Sequence, residues 1–193
     1  MLPTKQFQEI RKELTEFDKQ REKTIAASRE IIKLSKKIIY ALHEGDKKTA
    51  ANDVKIITAK IKQLSKNKDY DTNIASVAFQ EFVEALTYYW FDTKGYLPTH
   101  KQLDVSVDHY LLGLCDLTGE LVRRAIHDGI KQKYESMVAI KDLVAAIHAE
   151  FLKLNLRNGE LRKKSDSIKY NLQKLEDLVF NIQLYGKLGG KKR

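Results

Sequence analysis

Two stretches of this chain set carboxylates into otherwise apolar sequence. In "QEFVEALTYYWF", Gln80 to Phe91, Glu81 and Glu84 stand three residues apart among Phe82, Val83, Ala85, Leu86 and a run of aromatic residues. In "HYLLGLCDLTGELVRRAI", which begins at His109, Asp116 and Glu120 stand four apart among leucines. Residues three or four apart on an α-helix are surface neighbours, so each stretch presents an acid pair on one face. Two carboxylates about 5 Å apart repel by roughly 3 kcal/mol at an effective dielectric near 20. Such a pair needs protons, Lys or Arg partners, or a metal. An oxygen-only site suits a hard cation, Mg²⁺ or Mn²⁺. A cation held there can activate water and stabilise the charge of phosphoryl transfer. The bland alternative is a salt-bridged helix face, which is the common fate of a single acid pair.

Other chemistries fit less well. Di-iron carboxylate bundles use Glu-x-x-His. Here His43, His100, His109, His127 and His148 follow Tyr40, Leu97, Ser106, Arg124 and Ala145 at that spacing. The helical nucleotide pyrophosphatases pair Glu-x-x-Glu with Glu-x-x-Asp. "EFVE" meets the first half, whereas "DLTGE" has the wrong order and spacing for the second. No Ser-His-Asp or Cys-His arrangement and no Gly-rich phosphate loop is present. Cys115 lies in an apolar stripe and reads as core. Tyr88, Tyr89 and Trp90 could stack on bases, but their spacing beside Phe91 reads as core too.

The elements that must carry these pairs are helical. Of 193 residues only two are proline, Pro3 and Pro98, and long stretches without a breaker favour helix. Apolar periodicity predicts a helix over 4–43, ended by Gly45, and a second over 47–66. A polar link at 67–69 precedes a third over 71–92, and Thr99 caps a short helix. A further helix opens at Ser106 or Asp108 and reaches Asp128, with Gly129 as a break. Two more cover 134–154 and 160–185. No alternating strand pattern stands out. The expected fold is all-α, an antiparallel bundle of six to seven helices, with one domain over 1–186 and a flexible basic tail over 187–193.

Charge is distributed as basic, acidic, basic. Residues 1–70 hold 17 Lys+Arg against 10 Asp+Glu, residues 71–130 hold 4 against 9, and residues 131–193 hold 14 against 7. The overall charge of +9 suits a polyanionic partner or simple solubility. The candidate phosphate contacts are Arg21, Arg29, Lys33, Lys36 and Lys37 in the first helix, and Arg162, Lys163, Lys164 and Lys169 in the last. A solvated helix face is the bland reading of each run. The single cysteine excludes an intramolecular disulfide and a Cys-based zinc cluster, and it fits a reducing cytoplasm. No apolar run is long enough for a membrane span.

Three segments carry a family resemblance. "FQEFVEALTYYWF" and "DHYLLGLCDLTGELVRRAI" resemble translin-associated factor X. "FLKLNLRNGELRKKSDSIKYNLQKLEDLVFNIQLYG" is similar to the C-terminal part of translin. Together they span about 79–186, and the N-terminal third matches only in its helix–break–helix pattern. The resemblance implies binding of single-stranded RNA, and of single-stranded DNA, inside a closed homo-oligomer, an octamer in the family. Translin subunits bind and lack the acidic set. X-type subunits carry it and are the catalytic partners in a Mg²⁺-dependent endoribonuclease. By resemblance the family's carboxylates fall on Glu81, Glu84, Asp116 and Glu120, which become the expected catalytic and Mg²⁺ (or Mn²⁺) ligands. The translin-like C-terminus leaves a non-catalytic binding protein as the alternative.

Overall fold

The computed structural model describes residues 3–66 and 73–189, and these form seven helices with no strand among them. They are α1 (Thr4–Glu44), α2 (Lys47–Leu64), α3 (Asn73–Lys94), α4 (His100–Leu103), α5 (Val107–Ile130), α6 (Tyr134–Leu152) and α7 (Glu160–Gly189). The link expected at 67–69 and the start of the third helix at 71 lie outside the described residues. The chain divides into two compact units, Met1–Tyr89 and Trp90–Arg193, with the boundary inside α3.

In the first unit α1 packs on α2. Ile31, Ile38 and Leu42 of α1 are buried, as are Ala50, Ile57, Ile61 and Leu64 of α2. The two helices are joined by one tight reversal. Gly45 takes a left-handed φ of 80°, and its N–H and that of Asp46 donate to carbonyls at the end of α1. The Asp46 carboxylate then caps α2 by accepting from the Thr49 N–H at 3.0 Å. That hydrogen bonding also holds the Asp46 carboxyl below its ordinary pKa. The first half of α1 is different in kind. Phe7, Ile10, Leu14 and Phe17 recur at helical spacing, yet each is exposed, Leu14 at 58%.

In the second unit α5, α6 and α7 pack pairwise. Leu117, Leu121 and Ala125 of α5 are fully buried, as are Ile140 and Val144 of α6 and Ile168 of α7. The apolar seam of α7 thus packs within its own unit at Ile168 and Leu175, while Tyr170, Phe180 and Leu184 point to solvent.

Gly129 does not break the chain as its residue type suggests. α5 runs through it to Ile130, and the reversal falls at Gln132, with φ 59°. Gly129 is instead where α6 comes close: a Cβ there would lie 3.0 Å from Met137 Sδ. α7 extends to Gly189, into the segment expected as a tail. Its remainder lies outside the described residues.

Gly45→Ala forces an L side chain into the left-handed region at the α1–α2 reversal. The expected cost is about 1 kcal/mol, read as a lower midpoint at unchanged slope in urea unfolding.

Candidate nucleic-acid and metal site

Within the first unit, α3 answers how glutamates are tolerated in apolar company. Phe82, Val83, Ala85, Leu86, Thr87 and Tyr88 are all buried. Glu81 and Glu84 fall between them at the margin of that surface and are half-buried. Glu81 keeps 21% side-chain exposure and lies 3.9 Å from Lys36 Nζ of α1. One turn beyond Glu84, the Tyr88 hydroxyl meets Nδ1 of buried His43 at 3.3 Å, which ties α3 to α1 beside the acid pair.

Within the second unit, α5 is buried at Leu112, Leu114, Cys115, Leu117, Leu121 and Val122. The acid pair that the sequence sets on one face of α5 is half-buried. Asp116 and Glu120 keep 31% and 24% side-chain exposure. Lys164 of α7 donates to Asp116 Oδ2 at 2.5 Å, and Arg123 lies 3.7 Å from Glu120. Two turns before Asp116, burial pushes the His109 imidazole below its ordinary pKa, against the opposing pull of Asp108. Cys115, 1% exposed, has its thiol pushed up to about 12, first by burial and then by the Asp116 charge. A buried thiol with so high a pKa is a poor nucleophile, in line with its reading as core.

Each acid pair therefore stands half-buried, with a cation reaching at least one of its members. Among the described residues, no three of His, Cys, Asp and Glu are grouped closely enough to hold a metal ion. Two carboxylates from one pair still suit Mg²⁺, which is commonly bound by one or two carboxylates with waters and substrate phosphates completing its shell. The donor set fits such a water-rich ion and does not form a protein-only cage.

The basic residues separate into two kinds. Arg29, Lys33, Arg162, Lys163 and Lys169 are exposed on their helices. Arg21 pairs with Glu22, Lys36 with Glu81, Lys37 with Asp53 of α2 and Lys164 with Asp116. Of the aromatic run, Tyr88 is fully buried, while Tyr89 and Trp90 are only partly covered. Lys94 Nζ sits 3.4 Å from the Trp90 ring centroid, and Tyr96 meets the same ring edge-on at 5.5 Å.

One network escaped sequence reasoning. Arg124 Nη1 donates to Asp92 Oδ1 and its Nε to Asp128 Oδ2, both at 3.0 Å. Ser136 Oγ adds a 2.7 Å hydrogen bond to Asp128 Oδ2. The two aspartates keep 5% and 4% side-chain exposure. The sequence signal was the Arg124–Asp128 spacing of four, which is also met by many exposed pairs. Removal of the guanidinium takes a charge-assisted hydrogen bond from each of two buried carboxylates. Arg124→Ala is expected to cost about 3 kcal/mol, whereas Arg123→Ala, at an exposed pair, should cost about 0.5 kcal/mol or less. Parallel urea titrations of the two variants measure the difference.

Comparison with known proteins places this arrangement. A family model described as the translin family matches residues 19–186. A translin-associated protein X homolog of Schizosaccharomyces pombe is 25% identical over 91% of the chain and 86% of its own length. Translin of Gallus gallus is 30% identical, but over 42% of the chain and 36% of its own length. An uncharacterized protein of Methanocaldococcus jannaschii is 34% identical over 61% of the chain and 54% of its own length. The chain thus matches about a third to a half of the length of these last two relatives. Among solved structures, apo-NeC3PO superposes with a TM-score of 0.85 at 26% identity, covering 93% of this chain and 97% of that one. AfC3PO in complex with duplex RNA gives 0.82 at 23% identity, covering 93% and 97%, a likeness of fold. With the family match running from mid α1 to late α7, through both acid pairs and the basic start of α7, the chain belongs to the translin family.

Proposed function

We propose that this protein is a single-stranded-RNA-binding, Mg²⁺-dependent endoribonuclease that works as a homo-oligomer in the cytoplasm. The observation that carries the reading is the pair of acid pairs. Glu81 and Glu84, and Asp116 and Glu120, are half-buried on helices whose neighbouring positions are buried. A structural role alone gives little reason to keep four carboxylates there, since each costs desolvation. Mg²⁺, or Mn²⁺, bound at an acid pair would supply Lewis-acid activation of water at a phosphodiester.

The protein's own part is to hold and orient. Exposed Arg29 and Lys33 on α1, with Arg162, Lys163 and Lys169 on α7, offer ammonium and guanidinium groups to phosphates. Contacts of this kind fix the strand without reading its sequence. One of Glu81, Glu84, Asp116 and Glu120 would accept the proton that the attacking water gives up. The hydroxyl of buried Tyr88, 3.3 Å from His43 Nδ1, ties the next turn of α3 to α1. Membership of a family that includes an X homolog similar along nearly the whole chain supports the reading. AfC3PO, of the same fold, has been solved with duplex RNA, so duplex RNA belongs in the assay beside single strands.

A second reading has its own observation. Glu81, Asp116 and Glu120 each have a Lys or Arg within 4 Å, and acid pairs satisfied in that way need no metal. Under it the protein binds RNA or single-stranded DNA and does not cut. The deciding experiment incubates the purified protein with labelled single-stranded and duplex RNA, in Mg²⁺, in Mn²⁺ and in EDTA. Cleavage is expected with either cation and not in EDTA. Glu81→Ala and Glu84→Ala are each expected to abolish it while RNA affinity stays within about threefold. Absence of cleavage by wild type with either cation would leave the binding protein standing.

Self-association has separate support in α1. The exposed stripe of Phe7, Ile10, Leu14 and Phe17 is the kind of apolar surface that marks a protein contact. Tyr170, Phe180 and Leu184 add apolar surface on α7. An octamer, as in the family resemblance, is the proposed form. Phe7→Ser combined with Leu14→Ser should lower the mass measured by light scattering to a smaller oligomer or monomer, with helical circular dichroism unchanged.

A further inference from the structure

Lys164 reads from the sequence as one of three consecutive cations, Arg162, Lys163 and Lys164, facing a phosphate backbone. The structure separates it from the other two. Arg162 and Lys163 are exposed. Lys164 turns inward and is 31% exposed, and its Nζ lies 2.5 Å from Oδ2 of Asp116, itself 31% exposed. The register of α7 enforces this. Ile168, one turn on, is fully buried, and Asn171, two turns on, donates to Thr118 Oγ1 of α5 at 2.8 Å. The face that carries Lys164 is the face that packs on α5.

A carboxylate whose Oδ2 already holds an ammonium keeps lone pairs on its other oxygen, but it takes a divalent cation at full strength, through both oxygens, only when that ammonium leaves. Leaving is feasible here. The pair is partly solvated, and ion pairs in that setting hold weakly. The lysine stem is flexible, so its charge can move while α7 stays packed. With Arg123 beside Glu120, the local set of two acids and two cations is near neutral, and an arriving divalent ion makes it cationic unless a polyanion joins.

We propose that Lys164 is a positioning residue for the reaction proposed above: it occupies Asp116 in the absence of metal, yields the carboxylate when a divalent cation binds, and then holds a substrate phosphate beside it. This inference rests on the metal-dependent reading of the site. Its consequence is positive coupling: metal and nucleic acid each favour the state in which Lys164 has left Asp116, so each strengthens the binding of the other, by linkage.

The test measures binding rather than turnover. Mn²⁺ affinity is read by electron paramagnetic resonance for wild type, Lys164→Gln, Lys163→Gln and Asp116→Asn. Affinity for a labelled single-stranded oligodeoxynucleotide is read by fluorescence anisotropy, with and without Mn²⁺. Lys164→Gln should bind Mn²⁺ about two- to fivefold more tightly than wild type, the fold-change that loss of a weak ion pair permits. Lys163→Gln, which removes the same charge one residue away, should leave Mn²⁺ affinity unchanged. Mn²⁺ should tighten oligonucleotide binding by wild type and Lys163→Gln, and not by Lys164→Gln. Lys164→Arg, which keeps charge and packing, should retain the coupling and serves as a folding control. Equal Mn²⁺ affinity in wild type and both Gln variants, with loss in Asp116→Asn, would overturn the role of Lys164 and leave the metal reading intact. Failure of wild type to bind Mn²⁺ at all would overturn the metal reading and this proposal with it.

Discussion

A carboxylate set into a helix that is apolar on nearly every side has to be neutralised, and that constraint organises both units. It costs several kcal/mol to strip an ion of water, and only a partner at close range offsets it. In the first unit Lys36 approaches Glu81 from α1, and Lys37 reaches Asp53 of α2. In the second, Arg124 spans Asp92 and Asp128, while Lys164 meets Asp116. Several of these cations come from a helix other than the one that carries the acid. Neutralising the carboxylates and fixing helix against helix are then one and the same interaction.

The pairs differ in depth, and depth separates structure from chemistry. Asp92 and Asp128 are nearly without solvent and are bridged by one guanidinium, Nη1 on the first and Nε on the second. Such a cluster is too committed to exchange its partner for a substrate. Asp116, Glu120, Glu81 and Glu84 keep part of their surface in water. Lys164, the exposed Arg123 and Lys36 approach Asp116, Glu120 and Glu81 at 2.5, 3.7 and 3.9 Å. Carboxylates of that kind keep partners that solvent can reach and that can be exchanged. The distinction supports a functional role for the shallow set and a scaffold role for the deep one.

Translin-family membership sets the fold in which these pairs occur. Similarity to a protein named as an X homolog extends over nearly the whole chain, whereas similarity to translins covers less than half of it. The similarity to the X homolog thus covers nearly the whole of the chain that carries the acid pairs on α3 and α5. The exposed aliphatic and aromatic positions of α1 and α7 provide the surface from which a larger assembly can be built.

Helix content, the approximate limits of each helix and the grouping of acids on common faces were legible in the sequence. Each depends on spacing within a few residues. Thr99, for example, announced α4 as its cap, which the structure completes as a capping box with Gln102, and the apolar stripe of α5 marked a buried face before any partner was known. The family was legible for the same reason, since its motifs are contiguous. Gly129 was misread because a glycine that ends a helix and one that admits a neighbouring helix look alike until Met137 of α6 is in place. The division of the cations was decided by tertiary structure alone. Lys163 and Lys164 are adjacent and chemically identical, and only the packing of α7 on α5 turns one to solvent and the other onto Asp116, 48 residues away. Arg123 and Arg124 divide in the same way, the second reaching back 32 residues to Asp92. Local periodicity says which face a residue occupies; what that face meets depends on the register between helices distant in sequence, which single-chain spacing does not encode.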